Sequence, residues 1–262
     1  MRVSVHNCVS TAYEMLRFSS DAILANAGTE DFDYVIVHWL ASPKVRDYLE
    51  DLKAKHENVT LVEYKTNNDV GYVPNIRGMM NTGFDKGFEL NDYCGLVNTD
   101  QYFGKDWLVN LAKHATPNTI VNSVHISPIV GTHVVRANLG IPEYGRFNMA
   151  GFNEIYDRVY KDVLETEEQR GGWISCSTMP YLIPKRLWEI AGPWELEPVM
   201  TGKAYRTPTV PLGTEHKFPD RRFFQRCKDA GAMFTMSHSS ITYHHEGVER
   251  TGKRPPGAEH LR

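Results

Sequence analysis

Through the first half of the chain, short apolar runs alternate with longer stretches whose apolar residues recur every three or four positions. The runs "RVSVHNCV" (2–9), "YVIVHWL" (34–40), "NVTLVEYK" (58–65), "YCGLVNT" (93–99) and "NTIVNSVHIS" (118–127) read as strands. Between them, 11–26 sets Met15, Leu16, Ile23 and Leu24 at helical spacing, and "AGTED" closes that element. Ser42 followed by Pro43 opens a helix over 42–56, because proline fits the first helical turn. A glycine-interrupted helix over 73–90 and another over 105–115 complete the series. Strands alternating with helices imply an α/β fold with a mainly parallel, doubly wound sheet. The unbroken apolar run of 34–40 suits a strand covered on both faces.

The pattern loosens after residue 127. "NEIYDRVYKDVLETEEQ" (153–169) reads as a helix with a solvated, charged face. "WISCSTMPYLIP" (173–184) is strand-rich and "KRLWEIAG" (185–192) is a short helix. "FPDRRFFQRCKDAG" (218–231) is a helix closed by Gly231, and "AMFTMSHSSITYHHEG" (232–247) is strand-like. The polar tail 248–262, with Pro255-Pro256, reads as mobile. The expected organisation is a single domain over 1–247, its first half ending at 127.

Composition narrows this picture only a little. A chain of 262 residues buries a sizeable core, and 41% hydrophobic with 23% charged residues is ordinary for a globular protein. A net charge of −3 gives no reason to expect a broad nucleic-acid-binding face. The four cysteines form no CxxC pair, so the spacing of a zinc site is missing; Cys8 and Cys94, inside strand-like runs, read as buried thiols. The N-terminus lacks the apolar core of a signal peptide, and no stretch approaches the roughly 18 consecutive apolar residues of a membrane span. The expectation is a soluble, cytoplasmic protein whose membrane contact, if any, is peripheral.

One residue raises a chemical question. "GLVNTDQYF" (95–103) runs from a strand into Asp100, where a carboxylate is costly to desolvate without a positive partner. Either Asp100 caps the helix that follows or it holds a cation. In doubly wound sheets ligands bind beyond the carboxyl ends of the strands, where Asp100 stands.

The ordered set "DVGYVPN…NTG" (69–83), "GLVNTDQYFGKDWL" (95–108), "LIPKRLWEIAGPWEL" (182–196), "PDRRFFQRCKDAG" (219–231) and "YHHEG" (243–247) resembles family 2 glycosyltransferases of the GT-A fold. The resemblance covers about residues 3–247 and lies in order and spacing rather than in any one motif. It implies a nucleotide-sugar-binding half (1–127) and an acceptor-binding half (128–247). The family's metal motif corresponds to Asn98-Thr99-Asp100, with Asn98 replacing the first acid. Asp220 falls on the acid that serves as catalytic base, while Pro219 and Arg222 replace neighbouring acids. The family's turn before the acceptor appears as Gly192-Pro193-Trp194-Glu195, which makes Trp194 and Glu195 acceptor candidates. His-x-x-Gly spacing selects His244 over His245 as the imidazole ligand. The acid that often ends strand two to touch the base is replaced by His38 and Trp39, and the Pro-Thr-Tyr after strand one by Cys8-Val9-Ser10.

The implied activity is an inverting, metal-dependent, hexosyltransferase-like glycosyl transfer. Mn²⁺ or Mg²⁺ on Asp100 and His244 would neutralise the diphosphate of a UDP, GDP or dTDP sugar. Val9, His38, Trp39, Asn98 and Arg77 would contact the donor, and Asp220 would deprotonate an acceptor hydroxyl. The acceptor, whether protein, saccharide or nucleic-acid base, is left open. The lost acids at Asn98, Pro219 and Arg222 motivate a second reading, a non-catalytic carbohydrate- or nucleotide-binding module on the same fold. A nucleotidyltransferase is disfavoured because "VHNCVSTAYEM" (5–15) lacks a glycine-rich phosphate loop.

Overall fold

A computed structural model of the chain describes residues 1–9, 13–65, 72–128, 134–140, 147–172, 179–196 and 219–245, with the side chains of 72–74 and 219–220 outside that description. The first five predicted strands appear as β1 (Val3–Val9), β2 (Phe32–His38), β3 (Val59–Glu63), β4 (Tyr93–Val97) and β6 (Thr119–Ser127). The intervening helices are α1 (Tyr13–Ala25), α2 (Pro43–Lys55), α3 (Tyr72–Leu90) and α4 (Trp107–Ala112). At the start of α2, the Ser42 hydroxyl accepts from the Val45 N–H, satisfying one of the donors that a helix end leaves open.

The second half supplies β7 (Val134–Arg136), α5 (Met149–Val159), β8 (Leu164–Thr166), β9 (Tyr181–Pro184), α6 (Lys185–Ala191), α7 (Pro219–Asp229) and β10 (Met233–His244). Three sequence expectations are corrected here. The helix expected over 153–169 stops at Val159, and the rest of that stretch turns into β8, which pairs antiparallel with β10. A three-residue strand, β5 (Gln101–Phe103), stands between β4 and α4, so Asp100 sits in a turn between two strands and caps no helix; Asp106 occupies that position for α4. Cys94 is buried as expected, but Cys8 is only half-buried. The expectations for 69–71, Ser10, 173–178 and 246–262 fall outside the described residues.

The described strands form one sheet in the order β3-β2-β1-β4-β9-β6-β10-β5, with β7 beside β6 and β8 beside β10. The pairs β3–β2, β2–β1, β1–β4, β6–β10 and β6–β7 are parallel; β9 runs against both β4 and β6. Alternation along β1 sends Val3, Val5 and Val9 to one face, where they pack with Leu16 and Ile23 of α1, Leu49 of α2 and Leu108 of α4. Ser4 and His6 face α3 instead. The larger cluster there joins Phe84 and Phe88 of α3 to Leu187 and Trp188 of α6 and Phe223 and Phe224 of α7.

Helix α3 lies close to the sheet because small residues face it. A Cβ at Gly83 would collide with the His6 ring, and one at Gly87 with Cys94 Sγ. Gly83 and Gly87 are therefore its points of contact with β1 and β4, while Gly78 faces Tyr64.

Candidate functional site

Strand order locates a crevice. From β1 the chain steps outward to β2 and β3, then returns to the other side of β1 as β4. The connections leaving β1 and β4 thus diverge at their carboxyl ends, the switch point where open α/β sheets bind ligands. The turn Asn98-Thr99-Asp100 follows β4 at that edge. The parallel pairing of β10 with β6, which runs in the same sense as β4 through two antiparallel pairings with β9, brings the carboxyl end of β10 to the same edge.

Register then sets the chemistry. His244 pairs opposite Gln101 of β5, and the His245 N–H donates to the Asp100 carbonyl at 2.8 Å. Asp100, only 7% exposed, places Oδ2 2.9 Å from His244 Nε2. A carboxylate only accepts, so in this pairing the proton rides on Nε2. The next residue points elsewhere, as side chains on a strand must: His245 lies among Phe18, Phe147 and Tyr243, and its Nδ1 donates to the Gly140 carbonyl at 3.1 Å. Burial lowers the His245 pKa to about 4.

The turn is braced from beneath. Gln101 is fully buried; its Oε1 accepts from the Asn98 N–H at 3.0 Å, and its Nε2 donates to the Met179 carbonyl at 2.9 Å. Nε2 also lies 3.3 Å from His125 Nε2, and the His125 and His244 rings are 5.7 Å apart. The Asn98 carbonyl accepts from Ser19 Oγ at 3.1 Å. Sequence reasoning missed Gln101 and His125. A signal was present in β6, a central strand that buries Asn122, Ser123, His125 and Ser127, since buried polar groups in such a place require partners.

The other predicted residues take these places. Val9 and His38 end β1 and β2, paired in register, and partial burial lowers the His38 pKa. Trp39 is covered in a small cluster with Val35, Val37 and Met79, its ring edge-on to Tyr64. Arg77 lies within α3, buried, with Nη1 donating to the Glu195 carbonyl at 3.1 Å. Trp194 is buried against Phe223, and both its backbone groups bond the Asn81 side-chain amide at 2.9 Å. The Glu195 carboxylate pairs with Arg222 at 2.9 Å and Arg226 at 2.7 Å, one turn apart on α7. Asp220 is the second residue of α7.

One carboxylate and one imidazole converging at the crevice suit a hard divalent cation such as Mn²⁺ or Mg²⁺. Among the described residues no group of three or more His, Cys, Asp or Glu side chains gathers to hold a metal. Of the described residues, Asp100 and His244 could hold such an ion together with ligand oxygens and water. Among the described residues no helix is long and apolar enough to cross a membrane.

No protein-family model and no curated protein sequence matches the chain. Solved structures do. Residues 1–349 of S. aureus TarS superpose with a TM-score of 0.58 at 11% identity, over 94% of this chain and 60% of that one. GalNAc-T7, solved with UDP, GalNAc and Mn²⁺, gives a TM-score of 0.59 at 11% identity, over 97% of this chain and 45% of that one. The TarS fragment in complex with UDP gives 0.52 at 10% identity. The chain spans less than two thirds of the length of each of these structures. What remains shared at such distance is the architecture: this chain has the GT-A fold of the glycosyltransferases TarS and GalNAc-T7.

Proposed function

We propose that the protein is a metal-dependent, inverting glycosyltransferase that moves a sugar, of hexose type, from a nucleotide-diphosphate donor to an acceptor hydroxyl. The observation that carries this reading is the meeting of Asp100 and His244, from opposite halves of the chain, at the switch-point crevice of a GT-A sheet. A bound Mn²⁺ or Mg²⁺ would act there as a Lewis acid on the departing diphosphate. UDP is the first nucleotide to test, because two of the similar structures hold it.

Within this reading residues 1–127 bind the donor and 128–247 the acceptor. Val9, His38 and Asn98 line the nucleotide side at strand ends, with Trp39 supporting that wall from within its apolar cluster. Arg77, in the second turn of α3, is the cation proposed for the diphosphate; α3 starts at the same edge of the sheet. Asp220, at the start of α7, takes the proton from the acceptor hydroxyl as it attacks the anomeric carbon opposite the leaving diphosphate. A single displacement with one base inverts the sugar, and such general-base help is typically worth roughly 10²–10⁴-fold in rate. Trp194 and Glu195 are proposed for the acceptor side, where the pairing of Glu195 with Arg222 and Arg226 also ties the turn to α7.

The test is incubation of the purified protein with Mn²⁺ and a panel of UDP, GDP and dTDP sugars. Donor hydrolysis or metal-dependent binding of one donor class is expected; absence of both across the panel would contradict the reading. Asp220→Asn is expected to lower transfer by roughly 10²-fold or more while donor affinity stays close to that of the parent. Undiminished turnover would remove Asp220 from its role. Metal-dependent nucleotide binding without turnover on any acceptor would favour a non-catalytic module.

A further inference from the structure

Gln101 occupies a position whose chemistry is fixed from three sides. The Asn98 N–H can only donate, so it meets Oε1; the Met179 carbonyl can only accept, so it meets Nε2. The amide orientation is therefore determined. Its second N–H points at His125 Nε2, which must receive it as a lone pair, leaving the His125 proton on Nδ1. One side chain thus joins the backbone at the start of the Asn98–Asp100 turn to the segment before β9 and to a neutral imidazole on β6. That imidazole stands 5.7 Å, ring to ring, from His244. Register accounts for the gathering: His125 pairs with Thr242 and Gln101 with His244, two residues further along β10 and on the same face.

We propose that Gln101 is a positioning residue that holds the Asn98–Asp100 turn so that the Asp100 carboxylate stays beside His244, where a cation would replace the proton now shared between them. The inference rests on the reading of Asp100 and His244 as metal ligands. A buried amide must find partners for both its oxygen and its nitrogen, a demand that a space-filler such as Met or Leu does not make, and here the oxygen's partner is the turn. Outer partners of this kind set the orientation of a ligand without touching the ion.

The test compares the parent with Gln101→Met, which keeps the volume and loses all three contacts, and with Gln101→Glu, which keeps the acceptor for Asn98 and loses the donors. Mn²⁺ binding in the presence of UDP is followed by electron paramagnetic resonance of the free ion, alongside thermal unfolding. Both variants are expected to bind Mn²⁺ more weakly by about 10–100-fold, the range for removal of an outer partner, with Gln101→Glu the milder. In an Asp100→Asn background, Gln101→Met is expected to add no further loss, which a general loosening of the fold would not reproduce. If the parent binds Mn²⁺ and UDP and the variants bind them equally well, or if Gln101→Met costs as much with Asn at position 100, the inference is overturned. If Gln101→Met does not fold, Gln101→Glu, made in the parent and in the Asp100→Asn background, decides between these outcomes. A parent that binds no Mn²⁺ with UDP overturns instead the functional reading beneath it.

Discussion

At the scale of the residue, burial has its plainest consequence in the histidines. Complete burial lowers the His6 pKa to about 3, and burial lowers that of His245 to about 4. The folded protein therefore refuses protons that the unfolded chain accepts near pH 6.5. Stability from this source is complete above pH 6.5 and is lost as pH falls toward 4, by about 1.4 kcal/mol per pH unit for each histidine. Partial burial shifts His38 and His114 in the same direction and steepens the loss. Urea unfolding at pH 7.5 and pH 5 is expected to show a clearly lower midpoint at pH 5; equal midpoints would contradict it. Single residues were also where the sequence was least explicit. Asp100 was conspicuous because an acid ended an apolar run, and His244 was singled out from His245 by the His-x-x-Gly spacing of the resembling family. Gln101 was invisible, because its role comes from partners 3, 24 and 78 residues away.

At the scale of the element, pattern was most legible where one periodicity ran long enough to be counted. Helices α1, α2 and α3 and strands β1 to β4 were readable for that reason. The short strands β5 and β8 were not: three residues carry too little alternation, and their strand geometry comes from pairing with β10. That is tertiary context overriding local preference. Helix α3 shows the opposite case, a local irregularity with a tertiary cause. Its Gly87 lets it rest on β4, where an added methyl would meet Cys94 Sγ and crowd Ser4 Cβ. Gly87→Ala gains helix propensity but is expected to destabilise by about 1–3 kcal/mol through overpacking, read as a drop in urea midpoint. An unchanged or raised midpoint would show that the helix has room to move.

At the scale of the molecule, the alternation of strands and helices disclosed a doubly wound sheet and hence a crevice at its carboxyl edge. What it could not disclose was the insertion of β9 between β4 and β6, or the arrival of β10 beside β5. Those long-range pairings bring residues 100 and 244 together, and no local pattern encodes them. In the proposed function this edge of the GT-A sheet would hold one divalent cation between Asp100 and His244. Crystals grown with UDP and Mn²⁺, measured at the manganese absorption edge, test it most directly. One anomalous peak within ligating distance of the Asp100 carboxylate and the His244 imidazole is expected. A bound nucleotide with no peak there, and the Asp100–His244 hydrogen bond intact, would contradict it.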